Sequence, residues 1–535
     1  MVTIEDYVVH GPDAQKAYLQ GLTWPQVVGA VVERAGDAIA VFDGPYTYRW
    51  RDWWSAAGQL AAGLHAFGIQ KGDVVAVYLP NSWEFLVAHL GIAWVGAVML
   101  PLHLAHGEHE LRALLERVDA RLIIMTAEWR GKTYRALGEA LETPDRRVVW
   151  VGPSLTDDLR WEEFMGSRHV PVPLARLDPN DPFVLLASSG TASSRPKICL
   201  HSHDGLLSNA WATARDGKSQ PQDVIISASP FSHAFGLLSV HLSAVTGHAM
   251  ALLPYWDVSL LSERVQASRA SVLFAVPAQL RDLVDQGPSL TLREVRTGGA
   301  AVPADLVEDV RRHLQAGVVV QWGMTEVGAG CYTRPEDDAG VASRSVGRPC
   351  RGAEVRVVEN GRDVEPGQLG ELWYRSPYQF RGYYRDPELS RQIVDDEGWI
   401  HTGDLAQMNS DGTVQYRGRR TELINRGGLK FSALEVESLL TDLPGVSQLA
   451  VIAQPDRRLG ERALLVVALT PGARLDLTDV RDHLAQKQLA KYKWPEDLVV
   501  LDRLPTTPSG KIARARLEEA VRTVQKGRSD AVSGN

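Results

Sequence analysis

The sequence predicts an α/β chain built on layered, mainly parallel sheets, and three observations lead there. Short apolar runs, such as residues 73–79, 120–125, 147–151 and 183–186, recur between segments with helical apolar spacing. Read as strands buried on both faces with crossover helices between them, they imply a layered sheet. A length of 535 residues is also too great for one typical domain and long enough for several cores.

In chain order, a helix is expected from Thr23, then a strand pair over 38–42 and 46–48 around Asp43-Gly44-Pro45, and a helix over 50–68. The strand 73–79 leads to Pro80-Asn81-Ser82, which caps a helix beginning near Trp83. The longest apolar run, 90–102, contains Gly91, Gly96 and Pro101 and is too short to span a membrane, so it reads as a buried helix entering a strand. A helix over 206–215 and strands at 224–228, 271–277, 294–302 and 318–326 continue the alternation. A small α+β domain opens with a helix over 432–441, and the polar tail 525–535 is expected to be disordered.

Composition excludes several classes. The chain is 44% hydrophobic and 23% charged with a net charge of -8, and it carries no basic stripe that would suit nucleic acid. Cys199, Cys331 and Cys350 lie far apart without CxxC spacing, which argues for a reducing, cytoplasmic compartment over a disulfide framework. The N-terminus has neither the basic region nor the apolar core of a signal peptide.

The chemistry centres on Ser188-Ser189-Gly190-Thr191-Ala192-Ser193-Ser194-Arg195-Pro196-Lys197, directly after the strand at 183–186. Small hydroxylated residues around a glycine, ending in a lysine, let N–H groups, hydroxyls and a positive charge converge on a polyphosphate. A solvated Ser/Gly linker is the alternative, and the spacing is not that of a Walker A loop. Cys199, His201 and His203 are closely spaced, but a zinc site needs further ligands from a converging segment, and no partner Cys pair exists. Strand ends at Gly298-Gly299 and at Trp322-Gly323-Met324-Thr325-Glu326 lie where ligands bind open α/β sheets, at carboxyl ends of strands.

The loop resembles the phosphate-binding signature of the adenylate-forming superfamily of acyl-CoA synthetases, luciferases and peptide-synthetase adenylation domains. It departs from the usual form in Ser193 where glycine is usual, in one extra residue before Arg195-Pro196-Lys197, and in Ile198 for the last glycine. Trp322-Gly323-Met324-Thr325-Glu326, Gly398 to Leu405, Tyr416 to Ile424 and Pro505-Thr506-Thr507-Pro508-Ser509-Gly510-Lys511 resemble further signatures in the family's order. The stretches Ser345 to Pro349, Gly370 to Trp373 and Arg381-Gly382-Tyr383-Tyr384 also match and are read as structural.

The resemblance implies a large N-terminal domain (1–418) of layered α/β sheets, a hinge (419–422) with Thr421 where Asp or Lys is usual, and a mobile α+β domain (423–524). It implies an ATP site of Ser188, Ser189, Gly190, Thr191, Lys197, Gly299, Ala300, Trp322 on adenine, Gly323, Thr325, Asp404 and Arg419 on ribose, and Lys511. Glu326 would hold Mg²⁺, and Lys511, Glu326, Thr191 and His233 form the expected catalytic set. An acyl pocket of Phe231, His233, Phe235, Gly298, Gly299, Gly323, Val327 and Gly328 suits a flat ring, and Gly427 and Gly428 would face coenzyme A.

The reading is an AMP-forming ligase that joins a carboxylic acid, expected to be aromatic or bicyclic, to coenzyme A, with ATP as co-substrate. Two alternatives stand beside it: a free-standing enzyme loading a carrier protein, and a non-catalytic nucleotide-binding regulator on the same fold. A homodimer is compatible with the sequence, which does not itself fix the oligomeric state.

Overall fold

The computed structural model describes residues 21–153, 159–166, 170–187, 197–300, 302–427, 429–456, 458–507 and 511–533. Ser188, Ser189, Gly190, Thr191 and Gly428 lie outside them.

Strands form where the apolar runs predict, at Val74–Tyr78, Leu122–Thr126, Arg147–Val151, Pro182–Ala187, Val224–Ser227, Val272–Phe274 and Glu294–Gly298. Val74–Tyr78 is buried at every position, and its side chains part by alternation: Val75 and Val77 enter one core, Val74, Ala76 and Tyr78 another. Such a strand survives only with both faces covered, since each buried valine contributes about 1.5–3 kcal/mol. A seven-stranded sheet and a nine-stranded sheet result, parallel at their centres.

The largest core holds Val75, Met99 and Ile124 from one sheet and Ile225, Val272, Phe274 and Val319 from the other. Between them lie the helices Trp24–Ala35, Trp50–Phe67, Trp83–Trp94, His203–Asp216 and Ala234–Thr246. Outer helices, Glu108–Val118 on one side and Val258–Ser268, Pro277–Gln286 and Ala304–Leu314 on the other, complete five layers. Helices ringed by apolar residues are what a central layer demands: Phe85 through Trp94 and Gly236 through Val245 are all buried.

Local signals set the ends. Ser82 Oγ accepts the Phe85 N–H (3.3 Å), so the expected cap before Trp83 is present. The helix expected from 206 begins at His203, because Ser202 Oγ accepts the Gly205 N–H (3.2 Å) and starts it earlier. The strand expected over 294–302 stops at Gly298, where Gly299 turns the chain with φ +81°. The helix Arg514–Ser533 runs into the tail expected to be disordered; it contains no proline, and Glu518 and Arg522 pair one turn apart (3.6 Å).

By contacts among the described residues, the chain up to Glu354 with Tyr374–Trp399 forms one compact unit. Val355–Trp373 with the chain from Ile400 forms a second, so residues 419–422 run inside it. The second unit holds a five-stranded sheet, completed by Leu369–Arg375, Ile400–Met408 and Val414–Arg419, and a C-terminal sheet around Val446–Asp456 and Gly460–Leu469. Among the described residues no helix is long and apolar enough to cross a membrane.

Histidines are the polar exception in the central layer. His89 Nε2 and His241 Nε2 share one hydrogen bond (2.9 Å), and His89 Nδ1 lies 3.1 Å from Met99 Sδ. The sulfur can only accept, so His89 carries its proton on Nδ1 and accepts at Nε2 from His241. His89 stacks on Phe183, Phe183 on His203, and His203 Nδ1 accepts the Trp24 N–H (3.1 Å). Burial pushes His89 well down, and with neighbouring imidazoles it holds His241 at about 3; burial, partly offset by Asp181, leaves His203 at about 3.

These rings stay neutral in the fold but take up protons when unfolded, near 6.5. Their contribution is therefore complete above pH 6.5 and is lost as pH falls, at about 1.4 kcal/mol per unit for each ring. Calorimetric unfolding at pH 5–6, in buffers of different ionisation enthalpy, is expected to reveal net proton uptake, and a lower midpoint than at pH 7.5. Unfolding without proton uptake would refute this account.

Candidate active site

The strands Pro182–Ala187 and Ile198–Ser202 pair antiparallel, with Ala187 opposite Ile198, so the two ends of the Ser/Gly loop are held side by side. Ile198–Ser202 is the sheet's last strand, and Arg381–Tyr384 covers its free edge. Leu200 N–H donates to Gly382 O (3.0 Å), Arg381 N–H to Leu200 O (2.7 Å) and Tyr384 N–H to Ile198 O (2.8 Å).

That added edge carries Tyr383 into the site. Its hydroxyl donates to Glu326 Oε1 (2.6 Å), and Lys197 Nζ lies 5.6 Å from the centre of its ring. Glu326 and Thr325 occupy a tight turn between Gly317–Met324 and Gly328–Tyr332, closed by Val327 N–H to Met324 O (3.0 Å). Phe380 N–H donates to Glu326 O (2.9 Å), and His201 Nε2–H to Thr325 O (2.9 Å). Sequence reasoning brought Lys197, Thr325 and Glu326 to one place, and the structure does the same. It missed Tyr383, whose stretch read as structural; nothing in the sequence separates it from Tyr384.

Glu326 is the only expected metal ligand and fits a hard cation. Buried and oriented by one hydrogen bond, its carboxylate keeps further lone pairs, and Mg²⁺ takes one or two protein carboxylates plus phosphate and water oxygens. Among the described residues no trio of His, Cys, Asp or Glu gathers for a metal. His201 and His203 each give a nitrogen to the main chain, and burial holds His201 at about 4. Burial, reinforced by Glu326's charge, pushes the Cys199 thiol well up, so it stays protonated.

The expected acyl residues lie at or just beyond the carboxyl ends of strands of the nine-stranded sheet. His233 caps Ala234–Thr246, its N–H bonded to Pro230 O (3.0 Å), and Gly236 is required, since a Cβ there would lie 2.0 Å from Pro230 O. Asn81 fixes this loop from the other sheet: Nδ2 donates to Ser229 O (3.1 Å) and Oδ1 accepts the Phe231 N–H (2.8 Å). It too was missed, read only as part of a capping stretch. Phe231 packs on Phe85 and Phe235 on Phe274, and the His103 ring lies 5.3 Å from that of His233. Burial, then His106, holds His103 at about 4, hence neutral.

The glycines here mark main chains in contact. A Cβ on Gly298 would lie 2.3 Å from Gln321 O, and one on Gly323 2.0 Å from Gly328 O. Val327 is buried, Gly328 takes φ +74°, and Gly299 and Ala300 are exposed beyond the strand. Trp322 is buried, its ring over Gly330 and 5.8 Å from that of Tyr374.

Within the second unit, Asp404 and Arg419 are cross-strand partners joined by an ion pair (3.0 Å). Gly427 takes φ +58° and donates to Leu459 O (2.7 Å). Lys511 N–H donates to Thr507 Oγ1 (3.1 Å) and Thr507 N–H to Lys511 O (2.6 Å), while Thr506 bridges to Ile512, so Thr506-Thr507 and Lys511-Ile512 are held side by side. Arg514 anchors the following helix on Glu422 (3.0 Å) and Glu437 (2.8 Å).

Residues 29–384 match the AMP-binding enzyme family and residues 435–511 the AMP-binding enzyme C-terminal domain. The chain belongs to this family. It is 34% identical over 520 residues to a salicylyl-CoA synthase / salicylate adenylyltransferase of a Streptomyces species, covering 94% of this chain and 93% of that one. It is 29% identical over 509 residues to a 2-hydroxy-7-methoxy-5-methyl-1-naphthoate–CoA ligase of Streptomyces carzinostaticus, covering 90% of each. The crystal structure of an anthranilate CoA ligase with anthranoyl-AMP superposes with a TM-score of 0.85 at 23% identity, over 94% of this chain and 97% of that one. The protein is an ATP-dependent acid–CoA ligase with an adenylate-forming fold.

Removing the Tyr383 hydroxyl leaves a buried carboxylate oxygen without its donor. Y383F is expected to need more Mg²⁺ for half-maximal acid-dependent ATP–pyrophosphate exchange, by about tenfold, with an unchanged fold by circular dichroism. An unaltered Mg²⁺ requirement would show that Tyr383 does not set the carboxylate.

Proposed function

We propose that this ligase activates an aromatic carboxylic acid as its acyl-adenylate and transfers the acyl group to coenzyme A. The convergence of Lys197, Tyr383 and Glu326 at the end of the phosphate loop supports it most directly. The two relatives above, named for a hydroxybenzoate and a hydroxynaphthoate, support the aromatic class.

Bringing a carboxylate to the α-phosphate of ATP sets two anions against each other, so the residues must neutralise charge and align the attack. Lys197 and the loop groups Ser188, Ser189, Gly190 and Thr191 take the β- and γ-phosphates, and Thr325 touches phosphate. Mg²⁺ held by Glu326 would neutralise phosphate charge. Trp322, Gly323, Gly299 and Ala300 receive the adenine side, and Asp404 with Arg419 the ribose hydroxyls.

Lys511 bridges the acid's carboxylate and the α-phosphate. As the acid's oxygen bonds to phosphorus, the bond to pyrophosphate breaks. In the second half-reaction, rotation at 419–422 of the domain 423–524 exchanges Lys511 for Gly427 and Gly428, which face the pantetheine arm. The thiol sulfur then attacks the mixed anhydride, AMP leaves, and His233 orients the thiol or takes its proton. The expected setting is cytoplasmic.

Lys511→Ala is expected to lower acid-dependent ATP–pyrophosphate exchange about 100-fold or more, while thioester formation from supplied acyl-adenylate and coenzyme A persists. Unchanged exchange by the variant would overturn Lys511's role. Absence of exchange by the wild type across benzoic, naphthoic and alicyclic acids would overturn the aromatic ligase reading.

A further inference from the structure

The charged residues on the two sides of Thr421 are tied to different parts of the second unit. Before it, Arg419 pairs with Asp404 (3.0 Å) and Arg420 Nη1 with Glu371 Oε2 (3.0 Å), on the strands Ile400–Met408 and Leu369–Arg375. After it, Glu422 Oε1 pairs with Arg514 Nε (3.0 Å). Arg514 opens the helix Arg514–Ser533, three residues beyond Lys511.

Each arm of the Arg514 guanidinium reaches a different element. Besides the pair with Glu422, Nη1 donates to Val451 O (2.7 Å) in Val446–Asp456, and Nη2 donates to Glu437 Oε1 (2.8 Å) on the helix Ala433–Leu439. Glu437 Oε1 also accepts the Val451 N–H (2.7 Å), which closes the cluster. The side chains of Arg514 and Glu437 are only 24% and 14% exposed, so this is not a solvated surface pair. A planar fork holds three partners in fixed directions, and an ammonium cannot reproduce it.

The bonds among Thr507, Lys511, Ala513 and Pro505 shape the segment carrying Lys511 from within. That segment meets the sheet at Leu504, whose N–H bonds Gln448 Oε1 (3.0 Å), and at the helix, where Leu517 and Val521 share a core with Ala450 and Ile452. Gly427 is held separately, by its bond to Leu459 O and by the pairing of Arg426 with Gly460.

We propose that Arg514 is a positioning residue that couples the segment carrying Lys511 to residues 419–422, so that a turn of the main chain at Thr421 carries Lys511 with it. The inference rests on the two-step reading above and names the residue that sets its lysine. Misplacement of a reacting group by about 1 Å can lower a rate about 100-fold, so such a lever must be stiff.

The test separates the two half-reactions. R514K keeps the charge and loses the fork; its acid-dependent ATP–pyrophosphate exchange is expected to fall about tenfold or more in kcat, with the KM for ATP within about twofold. Thioester formation from supplied acyl-adenylate and coenzyme A is expected to stay within about twofold of wild type, because Gly427 keeps its own bonds. E422Q, which removes only the charge beside Thr421, is expected to lower exchange in the same direction, and it decides the matter by the same two rates if R514K does not fold. Unaltered exchange, or two half-reactions that fall alike, overturns the inference.

If the wild type shows no exchange with any acid, the ligase reading fails separately. The coupling is then read by hydrogen–deuterium exchange of the full chain. Faster exchange of the Lys511 and Ala513 amides in E422Q, with the strand Gly460–Leu469 unchanged, upholds it, and equal exchange in wild type and variant overturns it.

Discussion

The hydrogen bond from Tyr383 to Glu326 is where the separate parts of this site become one object. Glu326 sits on a turn of the nine-stranded sheet, while Tyr383 is carried by a segment bonded along the edge of the seven-stranded one. The bond therefore sets the distance between two strand ends that belong to different sheets. Phe380 N–H on the Glu326 carbonyl and His201 on the Thr325 carbonyl repeat the tie through the main chain. A carboxylate proposed to hold Mg²⁺ must not drift, and three bonds from another layer prevent it. Asn81 does the same for the Pro230–Gly236 loop, so both halves of the site are positioned across the sheet interface.

What was legible in the sequence was what is decided locally. Strands buried on both faces announce themselves as short apolar runs, and the Ser82 cap and the helices around it follow from neighbouring residues. The candidate site residues were picked out for another reason: Lys197, Thr325, Glu326, Asp404, Arg419 and Lys511 stand in a family's order. Tyr383 and Asn81 were not, because their importance arises only from what they touch across 57 and 150 positions of chain, respectively. The start at His203 and the stop at Gly298 turned on one serine hydroxyl and one positive φ, each a small energy that the apolar pattern does not encode.

The glycines carry a related lesson. Their clustering at Gly298, Gly323 and Gly328 reads naturally as space for a ligand, yet Gly298 and Gly323 are needed because two main chains touch there. Both readings are compatible, since a sheet bare of side chains on one patch is also where a planar group can lie flat.

The pairing of Ala187 with Ile198 has a consequence for how such loops diverge. Because the hairpin fixes where the chain leaves the sheet and where it returns, residues between those points can be gained or lost without shifting the register of either strand. Whatever the number of residues before it, Lys197 stands next to the same rung of the ladder, the pairing of Ala187 with Ile198. Length variation in this loop is therefore nearly neutral for the scaffold, leaving selection free to act on the loop's grip on its ligand alone.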